Sequence, residues 1–169
     1  MTSARARRLA LAATLALLLL ILVLPGNFQQ DSIAPLSYTY YLNAAAGAGT
    51  SVYYLTSETW SSGMLSMDSM VMLYGFLKKV GATRMLIGGG YIGRCQREFY
   101  NQVSAYVDRI PAYIVPEISS ISPDDISNRE SAEILTSLRQ GDYTPVRKFI
   151  EEKSKGTANL VPLPEAPAI

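Results

Sequence analysis

The chain has 169 residues, 49% hydrophobic and 17% charged, enough for one domain with a substantial core and too few for two large ones. Its net charge of +1 implies no general attraction to nucleic acid. It has no histidine and one cysteine, which excludes Ser-His-Asp and Cys-His catalysis, histidine zinc sites, histidine pH switches and an internal disulfide.

Arg5, Arg7 and Arg8 precede an uncharged apolar run at residues 9–24. A basic start followed by such a run reads as a signal anchor or a secretory signal peptide, and the arginines stay in the cytoplasm by the positive-inside rule. A full span needs about 20 apolar residues and at least roughly 17, so this run lies at the short edge. A lipoprotein anchor is excluded, because no cysteine follows closely. The rest of the chain is then extracytoplasmic, in a periplasm or on a cell surface, or secreted if the segment is cleaved.

Residues 27–50 read as a linker with a weak strand candidate at 37–42 and a small-residue connection, AAAGAG. SVYYLTS at 51–57 is β-branched and aromatic and predicts a strand. A polar turn at 58–63 leads to a helix over 66–80. There Met67, Met70, Val71, Tyr74 and Leu77 recur at helical spacing, Lys78 and Lys79 suit the last turn, and Gly81 follows the end. A short strand at 84–88, a glycine turn (Gly88, Gly89, Gly90) and a helix over 93–107 come next. A strand at 112–115 lies between Pro111 and Pro116, and residues 117–126 form a polar loop. Ser127 and Glu130 have capping-box spacing for a helix to Arg139, and Thr144-Pro145 opens a last helix with Thr144 as its cap. The chain closes on a proline-rich tail with the composition of a disordered segment.

Strand and helix alternation predicts an α/β fold: three layers, a mainly parallel sheet flanked by helices, preceded by an N-terminal membrane helix. The domain division is 1–26 for the anchor or signal, 27–50 for the linker, 51–155 for the extracytoplasmic α/β domain and 156–169 for the tail.

In parallel sheets ligands bind outside the carboxyl ends of the strands. That rule brings three loops together: Ser57, Glu58, Thr59 and Trp60; then Gly88 to Cys95; then Glu117, Ser119 and Ser120. Glu58, Gly88, Gly89, Gly90, Arg94, Glu117 and Ser119 are the expected ligand-binding residues and Cys95 the one candidate nucleophile. A thiol in a first helical turn beside Arg94 and Arg97 sits in an electropositive setting; the alternative is a small packing residue. Arg94 and Arg97 either clamp an anion or line a solvated helix face. The eleven tyrosines, Tyr38, Tyr40, Tyr41, Tyr53 and Tyr54 among them, suit a partner surface as well as strands. No metal or cofactor is implied.

Gly88, Gly90 and Gly93 fit G-x-G-x-x-G, and GGGYIG resembles the turn of the Rossmann dinucleotide-binding enzymes. In that family an acidic residue for the ribose follows about 20 positions on; here Glu117 stands 29 after Gly88. The stretch LKKVGATRMLIGGGYIGRCQREFYNQV with AYIVPEISSIS resembles the isochorismatase-like cysteine hydrolases over residues 66–125. That resemblance implies a nucleophilic cysteine, Cys95, at a helix start, followed by a strand ending in an acidic residue and a serine-rich loop. The family also uses an aspartate after its first strand and a lysine in mid-chain. The first falls in the apolar segment and linker here, and the second where Glu58, Thr59 and Trp60 stand.

The expected function is a membrane-anchored binding or assembly module without catalysis, held to the membrane through residues 9–24 and meeting a protein partner in the envelope, with room for a small-molecule ligand. The alternatives are a thiol-dependent hydrolase using Cys95 and a nucleotide-binding protein using the 88–93 turn.

Overall fold

The computed structural model describes residues 20–24, 52–59, 62–154 and 157–162. The expected strand at 37–42, the connection after it, Trp60 and most of the apolar segment lie outside these. The chain divides into two units, one ending at Leu55 and one running from Thr56 onward, with residues 25–27 joining the second.

In the first unit β1 (Leu20–Leu24) pairs with β2 (Val52–Thr56) in a two-stranded sheet. Two expectations are corrected here. Leu20–Leu24, assigned to the end of a membrane helix, is a strand: a run of Leu, Ile and Val satisfies either geometry, and length alone does not decide between them. β2, expected beside β3 and β4 in one sheet, takes β1 as its partner instead. Among the described residues no helix is long and apolar enough to cross a membrane.

The second unit is an α/β mixture around a small parallel sheet. Helix α1 (Met67–Lys79) starts where the Ser66 hydroxyl accepts the Ser69 amide and stops at Val80, before Gly81 in the left-handed region at φ +67°. It buries Met70, Leu73 and Leu77. β3 (Met85–Gly89) and β4 (Ala112–Ser119) run parallel, joined through helix α2 (Cys95–Tyr106), which packs on both. Ile87, Ile114 and Val115 are buried in this sheet; covering one such side chain contributes about 1.5–3 kcal/mol.

The register is regular from Met85↔Ala112 to Ile87↔Ile114 and then jumps to Gly89↔Ser119. Four residues of β4, among them Pro116, therefore bulge opposite one of β3. A bulge is where a strand tolerates a proline, since its missing N–H leaves no ladder bond broken. This explains why β4 reaches Ser119, past the proline that sequence alone reads as its end.

Helices α3 (Asn128–Arg139) and α4 (Thr144–Ser154) pack against one another. Ser127 and Glu130 make both halves of the expected capping box. At α4 the Asp142 carboxylate accepts the Thr144 amide at 2.9 Å, so the cap lies two residues before Thr144.

The tail is ordered in its first part. Leu160 forms a parallel bridge to Ile114, the Ile114 amide donates to Asn159 O (2.8 Å), the Val161 amide to Ile114 O (3.1 Å), and Ala158 is buried. Proline-rich composition suggests disorder, but the open edge of β4 offers backbone partners that composition does not register.

Candidate functional site

The glycine turn sits at the end of β3, as the pattern predicts, yet what needs its glycines is the protein itself. A Cβ on Gly88 would stand 2.7 Å from Ile118 Cδ1 and 3.0 Å from the Ile118 carbonyl; one on Gly90 would stand 2.7 Å from Ser120 Oγ. The bulged end of β4 packs against Gly88 and Gly90 where side chains would otherwise stand. Gly89 has φ +95°, with nothing within 4 Å of the position a Cβ would take. Its carbonyl accepts the Ser120 amide at 3.0 Å, and the Ile92 amide donates back to Ser120 O at 2.8 Å.

Ser119 serves the bulge. Its hydroxyl donates to Val115 O (2.7 Å) and accepts from Gln96 Nε2 (2.8 Å), which also reaches Gly89 O (3.3 Å). Gln96 thus binds the ends of β3 and β4 to the first turn of α2. Its amide orientation is fixed by chemistry, because the Gly89 carbonyl can face only a donor. The Gln96 Oε1 atom is consequently buried with no donor.

Arg94 is engaged within the chain. Its Nε and Nη2 bond Asp125 at 2.6 and 2.9 Å, and Asp124 lies 3.7 Å away. The paired guanidinium holds the Asp125 carboxyl below the ordinary carboxylate range. Arg97, expected on a solvated face or in an anion clamp, is only 9% exposed. It lies over the Tyr100 ring, 5.1 Å from its centre, with Nε and Nη1 buried and unpartnered. Burial pushes its pKa below the usual value.

The two carboxylates proposed across the site stand in different settings. Glu117 accepts a hydrogen bond from the Tyr143 hydroxyl, at the entry to α4. Glu58 is exposed in a turn closed by its own amide on Met64 O (2.9 Å), and its side chain bonds none of the described residues.

Cys95 opens α2 as expected and is half-buried. Its backbone is tightly covered, since a Cβ on Gly63 would fall 1.9 Å from Cys95 O. Two α2 side chains hold the covering segment: Glu98 accepts from Ser62 Oγ and the Gly63 amide (both 2.9 Å), and Gln102 accepts from the Leu65 amide (2.8 Å) and donates to its carbonyl (2.7 Å). Sequence reasoning missed Gln96, Glu98, Gln102, Asp125 and Tyr143. The signal for Gln96 and Arg97 was present: polar residues stand where a helix after such a turn normally packs small apolar ones against the sheet.

Among the described residues no group of three or more carboxylate or thiol side chains is arranged to hold a metal. No family model matches this chain, and neither does any curated protein or solved structure.

Proposed function

We propose that this chain is a membrane-anchored extracytoplasmic α/β module that binds or assembles with another envelope protein and does not catalyse a reaction. The observation that carries this reading is the state of the acid–base groups at the end of the sheet. Arg94 is held by Asp125, Glu117 by Tyr143, and Glu58 stays in its own turn. Two of the three groups expected to serve a site there, Arg94 and Glu117, are thus engaged within the chain. Tyr91 (41%) after the glycine turn and Ile118 (49%) in β4 are exposed apolar side chains, which suits protein contact. The isochorismatase-like layout fits this reading as a binding scaffold without the family's aspartate and lysine. The alternative, a thiol-dependent hydrolase, rests on Cys95 in the first turn of α2, with the Gly90–Arg94 amides stabilising an oxyanion and Glu58 or Glu117 as the base.

The anchor and β1 compete for the same residues. With Leu20–Leu24 in β1, the apolar run keeps eleven residues, about 16 Å of helix against a hydrocarbon core of about 30 Å. Retention in membranes after a carbonate wash would give Leu20–Leu24 to the anchor; release into the wash would give them to β1 and remove the anchor from the proposal.

The test is a pull-down from native membranes read by mass spectrometry. Wild type and Cys95→Ser should capture the same stoichiometric partner, and a Tyr91→Ser/Ile118→Ser double variant with unchanged circular dichroism should lose it. Undiminished capture by the double variant would refute the proposed edge. A covalent adduct on wild-type Cys95, with no partner captured, would move the function to the thiol hydrolase.

A further inference from the structure

Arg97 carries a buried charge with no counter-charge among the described residues. It is 9% exposed, and its Nε and Nη1 are enclosed without an acceptor. A guanidinium keeps its proton at any physiological pH, so the site cannot be relieved by neutralisation. The face of the Tyr100 ring offsets only part of the lost hydration.

The carboxylates that bond around α2 and the end of β4 have other partners. Asp124 and Asp125 face Arg94, Glu98 takes Ser62 and Gly63, and Glu117 takes Tyr143. Arg97 is the third residue of a twelve-residue helix whose N-cap residue, Arg94, makes no side-chain cap bond. The positive end of the helix therefore adds to the field of the guanidinium. Two buried N–H donors of one guanidinium without an acceptor mark a place that an oxygen outside the described residues completes.

We propose that the first turn of α2 is an oxyanion subsite in which Arg97 binds the carboxylate or phosphate group of a small ligand. The reading goes beyond partner binding and stands independently of it. Two sources of the oxygen need to be told apart, a diffusing ligand and the chain's own Glu165. Glu165 follows three residues after Pro162, in the segment whose Asn159 amide bonds the Tyr100 hydroxyl (3.0 Å).

The full chain, purified in mild detergent, is melted in rising inorganic phosphate against sodium chloride of matched ionic strength. The wild-type melting temperature should climb with the logarithm of phosphate concentration, as for a ligand that binds only the folded state. Arg97→Met should lose the climb while melting no lower than wild type in chloride, since an apolar chain of similar length replaces an unpaired buried charge. Should that variant fail to fold, Arg97→Lys serves instead and should retain a reduced climb. No climb in wild type, or an equal climb in Arg97→Met, overturns the proposal. A climb that appears only in Glu165→Gln also overturns it, because the tail carboxylate would then be the resident anion. Tyr91→Ser/Ile118→Ser should climb like wild type, which keeps this result separate from the partner test.

Discussion

Arg94 and Asp125 form a bidentate pair, Nε to Oδ2 at 2.6 Å and Nη2 to Oδ1 at 2.9 Å, across 31 residues of sequence. The pair ties the start of α2 to the loop before α3. It turns an arginine that sequence presents as an anion clamp into a structural link.

The pair has a pH signature. The hydrogen bond from Arg94 lowers the Asp125 pKa, with the charge of Arg94 adding to it and burial opposing it. A lowered folded pKa means the unfolded chain takes up the proton first. The contribution is therefore complete above the ordinary aspartate value of about 3.9 and is lost as pH falls through the lower folded value. Asp125→Asn should melt below wild type at neutral pH, and the gap should narrow on acidification below about pH 4 and in high salt. Some acid sensitivity should persist in the variant, because hydrogen bonds also lower Glu130 and Asp142. Melting curves from pH 2 to 7 that differ by a constant offset would show that the pair does not act this way.

Glycines offer an opposed pair of tests. A methyl on Gly63 would lie 1.9 Å from Cys95 O and 2.6 Å from its carbonyl carbon, both backbone atoms that cannot rotate away. Gly63→Ala should cost about 3 kcal/mol or more in chemical denaturation, at the upper end for overpacking. Gly75 lies inside α1, exposed, with nothing within 4 Å of the place a methyl would take. Gly75→Ala should stabilise by about 0.5–1 kcal/mol, because alanine loses less backbone entropy than glycine in a helix. Equal effects at the two positions would contradict the packing of the 62–65 segment on α2.

The elements that were legible in the sequence are those with local causes. α1, α2 and α3 form where expected and the Ser127–Glu130 box forms as written, but apolar spacing does not give their buried faces in full: Met67, Val71 and Tyr106 are exposed, while Gln96, Arg97 and Gln102 of α2 are buried. The parallel pairing of β3 and β4 follows from the strand–helix–strand order. What was not legible depends on partners distant in sequence. β2 pairs with β1, and nothing local says which strand a strand will choose. Ser119 closes a bulge that exists only in register with β3, so a serine-rich loop and a serine staple look alike beforehand. Arg94 meets Asp125, and Tyr143 meets Glu117, across 31 and 26 residues. The position of the glycine turn was legible; the close packing of the end of β4 on Gly88 and Gly90 was not.

Tyr143 provides an alkaline counterpart to Asp125. Burial, and then the hydrogen bond to and the charge of Glu117, push its pKa up to about 12 from an ordinary 10. The folded state thus resists the phenolate more than the unfolded chain does. Stability is unaffected by this group below about pH 10 and falls as pH rises from about 10 to 12. Tyr143→Phe should remove that part of the alkaline loss. Near neutral pH it should cost about 1 kcal/mol for the missing hydrogen bond, with solvent at Glu117 keeping the cost modest. The chain has eleven tyrosines, so the reading is the wild-type minus Tyr143→Phe difference in phenolate absorbance near 295 nm. A difference that ionises at the ordinary tyrosine pKa would mean that the Tyr143–Glu117 bond is not kept in solution. It would also release Glu117 as a base at the end of the sheet, which would reopen the thiol-hydrolase reading.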